Sequence, residues 1–352
     1  MRSGRELAAV LDALPDAGFA VGPDENLICA NDAAGALFPG LRPGEPMSRA
    51  MRLPQILDAI RRASASRAPT DAVWIDPFPL ERRFHVRAAV LEGIEPGPAV
   101  LATLRDTTEW RRDERMRAEF VANASHELRT PLASLAGFID TLRGPARDDP
   151  QTRERFLAIM DEQARRMSRL IDDLLSLSSI ERRAHVRPES MVDLGAIARH
   201  TADALAPLAR SNAVSLRVEA DAVDVTGDRD ELLRVAENLL ENAVKYGGPG
   251  VVAIRVGREG GWAVLEVEDG GAGIAAEHLP RLTERFYRVD ASHSRAKGGT
   301  GLGLSIVKHI VARHRGRLRI ASRVGEGSRF RVLLPPAPGG GAPCHTPVME
   351  NP

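Results

Sequence analysis

The sequence predicts a multidomain α+β protein, and three observations carry that prediction. Its 352 residues exceed one ordinary hydrophobic core, which indicates two or three domains. Apolar residues recur every three or four positions through two long central stretches, as in paired amphipathic helices. Before and after them, short strand-like runs alternate with helical segments and with turn residues, which favours mixed α/β domains.

Composition excludes several classes of protein. Hydrophobic residues at 43% and charged residues at 27% are typical of a soluble globular protein, and 48 basic residues balance 48 acidic ones. We therefore expect no direct nucleic-acid binding. Cys29 and Cys344 lie far apart and belong to no metal-ligand cluster, which fits a reducing compartment. No run is apolar enough to span a bilayer, so we expect a cytoplasmic protein, with peripheral membrane association as the alternative if an N-terminal segment is missing.

Residues 1–106 form the first expected domain, which has an α/β pattern. A hairpin at 18–31 and strands at 72–75, 83–91 and 99–104 surround helices at 5–14, 33–38 and 53–65. Helices inserted in a sheet of about five strands resemble a PAS sensor domain. An α+β domain without a ligand stays open as the alternative. The aromatic residues are expected in its core rather than in a cofactor pocket, namely Phe19, Phe38, Trp74, Phe78 and Phe84.

Residues 107–185 predict two antiparallel helices. A charged stretch at 106–117 reads as a helical connector into the first helix, and the loop at 144–150 separates it from a second helix that begins near Gln151. One hairpin cannot bury both apolar seams, so we expect a homodimer that forms a four-helix bundle. The seams comprise Val121, Ala124, Leu128, Leu132, Leu135, Ile139 and Leu142, then Leu157, Met160, Ala164, Met167, Ile171 and Leu174.

His126 lies off the first apolar seam. A single histidine on a helix is usually an ordinary surface or core residue, but its neighbours here suggest chemistry. Glu127 can accept a proton from the imidazole, Thr130 lies one turn further on, and Pro131 removes a backbone donor. Because neutral imidazole is a nucleophile near pH 7, His126 is a candidate phosphoryl acceptor. The run HELRTP at 126–131 resembles the phosphoacceptor box of sensor histidine kinases.

Residues 186–336 predict a two-layer α/β sandwich. We expect helices at 193–209, 229–246 and 302–314, and strands at 214–218, 251–256, 262–268, 318–322 and 330–334. Residues 337–352 are rich in glycine and proline, so they are expected to form a disordered tail.

Four motifs of this region occur in the order of the catalytic ATP-binding domain of histidine kinases, a fold shared with gyrase, Hsp90 and MutL. They are ENLLENAVKYG at 237–247, EDGGAGI at 268–274, ERFYRVD at 284–290 and GGTGLGLSIVKHI at 298–310. A single helix-surface residue or glycine-rich loop would be weak support. Four motifs in this order behind HELRTP are specific.

The resemblance implies a role for each matched residue. In the first motif Asn238 stands one turn before Asn242, the implied Mg2+ ligand, while Lys245 would reach the phosphates and Tyr246 would lie near the base. In the second, Asp269 would accept a hydrogen bond from the adenine amino group, in a tight turn formed with Gly271, Gly273 and Ile274.

The third and fourth motifs resemble the lid and the phosphate loop. Phe286 would pack the lid, and Arg288 and Lys297 are candidates for phosphate contacts. The glycine-rich loop would turn backbone N–H groups and the positive end of a helix toward the phosphates. Its implied binding residues are Gly299, Thr300, Gly301, Leu302, Gly303 and Leu304.

The implied reaction follows from one substitution within the fold. The gyrase and Hsp90 branch hydrolyses ATP with a glutamate four residues before the magnesium asparagine, and here that position is Asn238. We therefore predict Mg2+- and ATP-dependent autophosphorylation of His126, with Glu127 as proton acceptor. The resemblance covers residues 107–336 and is closest to sensor kinases of the phosphate-regulon type. It implies transfer to an aspartate of a response regulator receiver domain, and a reverse phosphatase activity assisted by Thr130. An ATP-driven conformational machine and a nucleotide-binding regulatory scaffold remain the alternatives.

Overall fold

The computed structural model describes residues 2–77, 81–94, 97–144, 147, 149–183, 185–290 and 299–337. The chain divides into two compact units, Met1–Glu119 and Phe120–Pro352. Each unit has its own hydrophobic core.

The first unit is an antiparallel five-stranded sheet with inserted helices. The strand order is β2-β1-β5-β4-β3, so the first hairpin joins the sheet through a pairing between β1 and β5. The predicted sheet and its helices are confirmed, whereas α3 was not predicted. The elements are α1 (Arg2–Asp12), β1 (Ala17–Val21), β2 (Leu27–Ala30), α2 (Asp32–Leu37), α3 (Met47–Ala50), α4 (Pro54–Ser66), β3 (Thr70–Asp76), β4 (Arg82–Leu91) and β5 (Ala99–Asp106).

The core of this unit is built between α4 and the sheet. Helix α4 buries Ile56 and Ile60, and Trp74 stacks on Phe84 with ring centroids 4.9 Å apart. The expected core positions of Phe19, Phe38, Trp74 and Phe84 are confirmed, and Phe78 lies outside the described residues.

Asn31 organises the corner between the first helices and strands. Its side chain is buried, caps α2 by accepting a hydrogen bond from the Ala34 amide, and accepts a second from the Gly18 amide, each at 2.9 Å. Its amide nitrogen donates to the carbonyls of Leu11 and Asp16. One polar side chain therefore satisfies four buried or partly buried backbone groups.

The central stretch forms two long helices, α5 (Thr108–Arg143) and α6 (Pro150–Arg182). The predicted connector and the histidine helix are one uninterrupted helix of 36 residues. At the start of α5, the Asp106 carboxylate accepts a hydrogen bond from the Thr108 amide. Within the hairpin, Phe138 packs on Phe156 with ring centroids 4.9 Å apart. Several apolar seam residues remain exposed, namely Val121, Leu132, Ile139, Leu157 and Ile171.

The rest of the second unit is a two-layer α/β sandwich, as predicted. The five-stranded sheet has the order β11-β12-β10-β9-β7, with only the β7–β9 pair parallel, and β6 pairs with β8 separately. The β6–β8 pair and a 3-10 helix at Ala276–Arg281 were not predicted. The elements are β6 (Met191–Asp193), α7 (Leu194–Ser211), β7 (Val214–Ala220), β8 (Asp224–Thr226), α8 (Arg229–Tyr246), β9 (Gly250–Glu259), β10 (Trp262–Asp269), α9 (Gly303–Arg313), β11 (Arg317–Arg323) and β12 (Gly327–Leu334).

Helix α8 shows why the sandwich positions polar groups at one edge. Its apolar stripe, which includes Leu232, Leu239 and Val244, is buried in the sandwich core. The same core takes Leu177 and Ile180 from α6, so the end of the hairpin packs onto the sandwich. Asn238 and Asn242 lie off this buried stripe, on another face of α8. The expected tail at 337–352 lies outside the described residues beyond Ala337.

A buried charge cluster anchors the segment that follows α6. Arg313, with 6% of its side chain exposed, forms an ion pair with Glu231, and its Nε donates to the carbonyls of Arg183 at 3.1 Å and Val186 at 3.0 Å. The neighbouring His314 accepts a hydrogen bond at Nε2 from an amide of the α8 N-cap, and burial lowers the pKa of its ring. The end of α9 therefore holds together α8 and the segment at 183–186 that follows α6.

Among the described residues, no helix combines the length and the hydropathy needed to cross a bilayer.

Candidate active site

Helices α6 and α8, the end of β10 and the segment before α9 line a half-open cavity of about 1170 Å³. That volume accommodates a nucleotide-sized ligand. The predicted binding residues that line the cavity are Asn238, Asn242, Lys245, Tyr246, Asp269, Gly273, Ile274, Arg288, Gly299, Thr300, Gly301, Gly303 and Leu304. Three other predicted binding residues, Gly271, Phe286 and Leu302, are not among the residues that line the cavity, and Lys297 lies outside the described residues.

The two asparagines on α8 have different surroundings. The Asn238 amide donates to the Arg234 carbonyl at 2.8 Å, and its oxygen would lie 2.4 Å from a Cβ atom at position 303. Only glycine fits at position 303 without a shift, so α8 and α9 approach closely there. The Asn242 side chain makes no hydrogen bond to another described residue and faces the cavity. Its amide oxygen is therefore available as a ligand for a hard cation such as Mg2+.

Asp269 is a buried carboxylate at the end of β10. Only 8% of the residue is exposed, and burial raises its pKa, while hydrogen bonds from the Gly271 and Ser328 amides oppose that rise. Gly273 has φ +68°, and a Cβ there would lie 1.8 Å from the Arg323 carbonyl oxygen. The turn thus needs glycine and fixes one acceptor group at the cavity wall.

Phe286 connects the start of the predicted lid with the glycine-rich loop. Its amide donates to the Gly301 carbonyl at 2.9 Å, and both residues have positive φ angles, +63° and +75°. Its ring packs on Phe120 of α5, with centroids 5.8 Å apart. The predicted packing residue of the lid therefore contacts the histidine helix as well as the loop.

The glycine-rich loop ends at the first turn of α9. Leu302 is fully buried at the helix N-cap, and its amide donates to the Thr300 hydroxyl at 3.3 Å. The Thr300 hydroxyl in turn donates to the Asp173 carboxylate of α6 at 2.8 Å. The loop thus presents its backbone at a helix N-terminus, where anions are favoured.

The candidate phosphoacceptor lies outside the cavity wall. His126 is exposed on α5, and its carbonyl accepts a hydrogen bond from the Thr130 hydroxyl at 3.2 Å. The Glu127 carboxylate forms ion pairs with Arg166 and Arg288, each at 3.0 Å. Arg288 lines the cavity and its side chain is 7% exposed, so it connects the cavity with helix α5.

Sequence reasoning missed several polar residues of the cavity wall, among them Asp173, Arg234 and Glu237. Asp173 and Arg234 form an ion pair at 2.8 Å, and Glu237 has a pKa raised by burial. Arg234 lies one turn before Asn238, so helical periodicity could have found it. Asp173 gave no such signal, because α6 was interpreted through its apolar seam alone.

Two protein-family models match the chain from residue 116 onward. Residues 116–183 match the His Kinase A (phospho-acceptor) domain, and residues 227–338 match the histidine kinase-, DNA gyrase B- and HSP90-like ATPase. Over 351 residues the chain is 38% identical to the phosphate regulon sensor protein PhoR of Pseudomonas aeruginosa, with 96% of this chain and 77% of that protein covered. The chain belongs to the sensor histidine kinases. It is an ATP-dependent histidine kinase of the two-component type.

Other relatives match a smaller share of this kinase. The sensor-like histidine kinase SenX3 of Mycolicibacterium smegmatis is 37% identical over 66% of the chain and 61% of its own length. The sensor protein kinase WalK of Staphylococcus saprophyticus is 35% identical over 67% of the chain and 39% of its own length. Among solved structures, histidine kinase ThkA in complex with response regulator protein TrrA has a TM-score of 0.50 at 21% identity, covering 94% of this chain and 98% of that one. That likeness shows a shared fold.

Proposed function

We propose that His126 accepts the γ-phosphoryl group of ATP and passes it to an aspartate of a response regulator receiver domain. The observation that carries this proposal is the single cavity that gathers Asn242, Asp269 and the glycine-rich loop and that Arg288 connects to the histidine helix. In the reaction, a bond forms between an imidazole nitrogen and the γ-phosphorus while the bond from that phosphorus to the β–γ bridging oxygen breaks.

The residues of the cavity would each perform one task. Asp269 would accept a hydrogen bond from the adenine amino group, with Tyr246 beside the base. Asn242 would hold Mg2+, which neutralises phosphate charge. Lys245, paired with Glu241 at 2.7 Å, and Arg288 would supply cationic groups of the cavity wall to the phosphates. Because Glu127 is paired with two arginines, it acts as proton acceptor only after Arg288 has moved to the phosphates.

A labelling experiment tests this assignment. The full chain is incubated with Mg2+ and ATP labelled at the γ-phosphate, and acid-labile protein label is measured for the wild type, His126→Gln and Asn242→Ala. We expect no label in His126→Gln or Asn242→Ala. The wild type and His185→Gln, which changes another exposed histidine, should be labelled equally. Steady ATP turnover in His126→Ala would favour a conformational machine. Nucleotide binding without any label would favour a regulatory scaffold.

The reaction is proposed to take place in a homodimer. The exposed seam residues of α5 and α6 leave an apolar stripe that a second hairpin would cover as a four-helix bundle. Light scattering should give twice the chain mass, and Leu132→Glu with Ile139→Glu should give the monomer. Since the reaction uses ATP and a receiver domain, we place it in the cytoplasm.

We further propose that Thr130 supports dephosphorylation of the regulator and that residues 1–106 form a PAS-like sensor domain. Thr130 is exposed one turn from His126, where its hydroxyl can orient water. Thr130→Ala should keep autophosphorylation and lose regulator dephosphorylation. The sensor assignment is supported by the strand order β2-β1-β5-β4-β3 and by the carboxylate of Asp106, which links β5 with α5. The proposed boundaries remain 1–106, 107–185, 186–336 and 337–352.

A further inference from the structure

Two polar groups that the proposed nucleotide site would use on phosphates are held by acidic side chains of the hairpin. The Thr300 hydroxyl donates to Asp173 Oδ2 at 2.8 Å, and Arg288 Nη2 lies 3.0 Å from Glu127 Oε2. Glu127 already has a proposed catalytic role. Asp173 has none in the reaction described above.

Asp173 joins three elements around the cavity. It lies on α6 with 17% of its side chain exposed, and its Oδ1 accepts a hydrogen bond from Arg234 Nη2 of α8 at 2.8 Å. The carbonyl of the same arginine accepts a hydrogen bond from the Asn238 amide at 2.8 Å. One carboxylate therefore connects the hairpin with the asparagine helix and with the glycine-rich loop.

The position of this carboxylate conflicts with a bound triphosphate. The loop offers the amides of the first turn of α9 to an anion, and Thr300 is the residue that bridges Leu302 and Asp173. A phosphate oxygen at this loop would lie close to a carboxylate of the same charge sign. The single hydroxyl proton of Thr300 can be donated fully to only one of these two acceptors.

We propose that Asp173 is a positioning residue that holds the glycine-rich loop on the hairpin and competes with the terminal phosphates of the nucleotide. Binding of the triphosphate then transfers the Thr300 hydroxyl from carboxylate to phosphate and weakens the contact between loop and α6. Thermodynamic linkage makes the two effects equal: the contact lowers the affinity for the triphosphate by some factor, and bound triphosphate lowers the equilibrium constant of the contact by the same factor. The inference rests on the proposed nucleotide site.

The test compares nucleotides that differ in their phosphates. Calorimetric titration of the full chain with Mg2+ and a non-hydrolysable ATP analogue, ADP or AMP is carried out on the wild type and Asp173→Asn, which keeps the shape and removes the charge. We expect affinity for the ATP analogue to rise about tenfold, within the range usual for coupled sites. The rise should be smaller for ADP, and AMP should stay within about twofold, because AMP lacks the competing phosphates. Asp173→Ala serves as a second variant and should act in the same direction.

Asp172→Asn is the matched control. Asp172 is the preceding residue of α6 and is exposed, and its carbonyl rather than its carboxylate contacts Arg234. An equal gain in this control would mean that charge at the cavity mouth acts at a distance, which overturns the positioning role. An unchanged ATP affinity in Asp173→Asn, or an equal rise for AMP, overturns it too. Two other results would instead refute the proposed nucleotide site. One is that the wild type binds no nucleotide, and the other is that Asn242→Ala binds it as tightly as the wild type does.

Discussion

Replacing Arg313 by methionine should destabilise the catalytic domain strongly. The change leaves the Glu231 carboxylate, whose side chain is 14% exposed, without its cationic partner. Breaking a buried ion pair costs about 3–5 kcal/mol, and the partial exposure of Glu231 favours the lower end, about 3 kcal/mol. In a domain of this size 1 kcal/mol shifts the melting temperature by about 2–4 °C. The expected decrease is therefore about 6–12 °C.

Differential scanning calorimetry of the full chain measures this shift. The transition of the catalytic domain is identified as the one that a non-hydrolysable ATP analogue raises. Arg313→Met combined with Glu231→Leu should recover most of the loss, because no unpaired carboxylate remains. A decrease below about 2 °C in the single variant, or a double variant as unstable as the sum of both changes, would refute the view that the buried charge pair anchors this domain.

Four further outcomes are expected. Burial lowers the pKa of His314, so its neutral ring stabilises the fold above the unfolded pKa of about 6.5, and this stability is lost as pH falls below that value. The melting temperature of the wild type should therefore fall between pH 7 and pH 5. In His314→Gln it should fall less steeply. Asp269→Asn should weaken ATP binding at least tenfold in titrations while GTP binding changes little, since the adenine acceptor becomes in part a donor. Gly273→Ala should abolish nucleotide binding, because its Cβ would overlap the Arg323 carbonyl; binding like that of the wild type would contradict this turn geometry. In the first unit, Asn31→Ala should lower stability by about 2 kcal/mol in denaturant titration, from a lost helix cap and orphaned buried groups, and a loss below about 0.5 kcal/mol would contradict that.

The fold was predictable wherever local patterns dictate structure. Periodicity predicted α8 to the residue, and alternation predicted the five strands of each larger sheet to within a few residues. The short elements escaped prediction because α3, β6 and β8 are three or four residues long and carry no period. They form because neighbouring elements satisfy their backbone groups, as when β6 pairs with β8.

The sequence predicted which residues form the candidate site, but not how those residues contact one another. Motifs named thirteen residues that line the cavity, because each motif carries its own chemistry. They gave no indication that Glu127 pairs with Arg288, a residue 161 positions away, or that Asp173 contacts Thr300. Those contacts depend on how the hairpin packs against the sandwich, which no local pattern encodes.

The hairpin supplies part of the cavity wall, since Arg169, Asp173 and Ser176 of α6 line it together with the sandwich. A truncated chain beginning after residue 186 would lack the part of the cavity wall that α6 supplies. Inhibitors chosen against such a fragment would be optimised for an incomplete wall. Molecules selected on the whole chain would contact α6 and the sandwich together and would hold the two in contact. Their selectivity would come from side chains of α6, which lie outside the nucleotide-binding motifs.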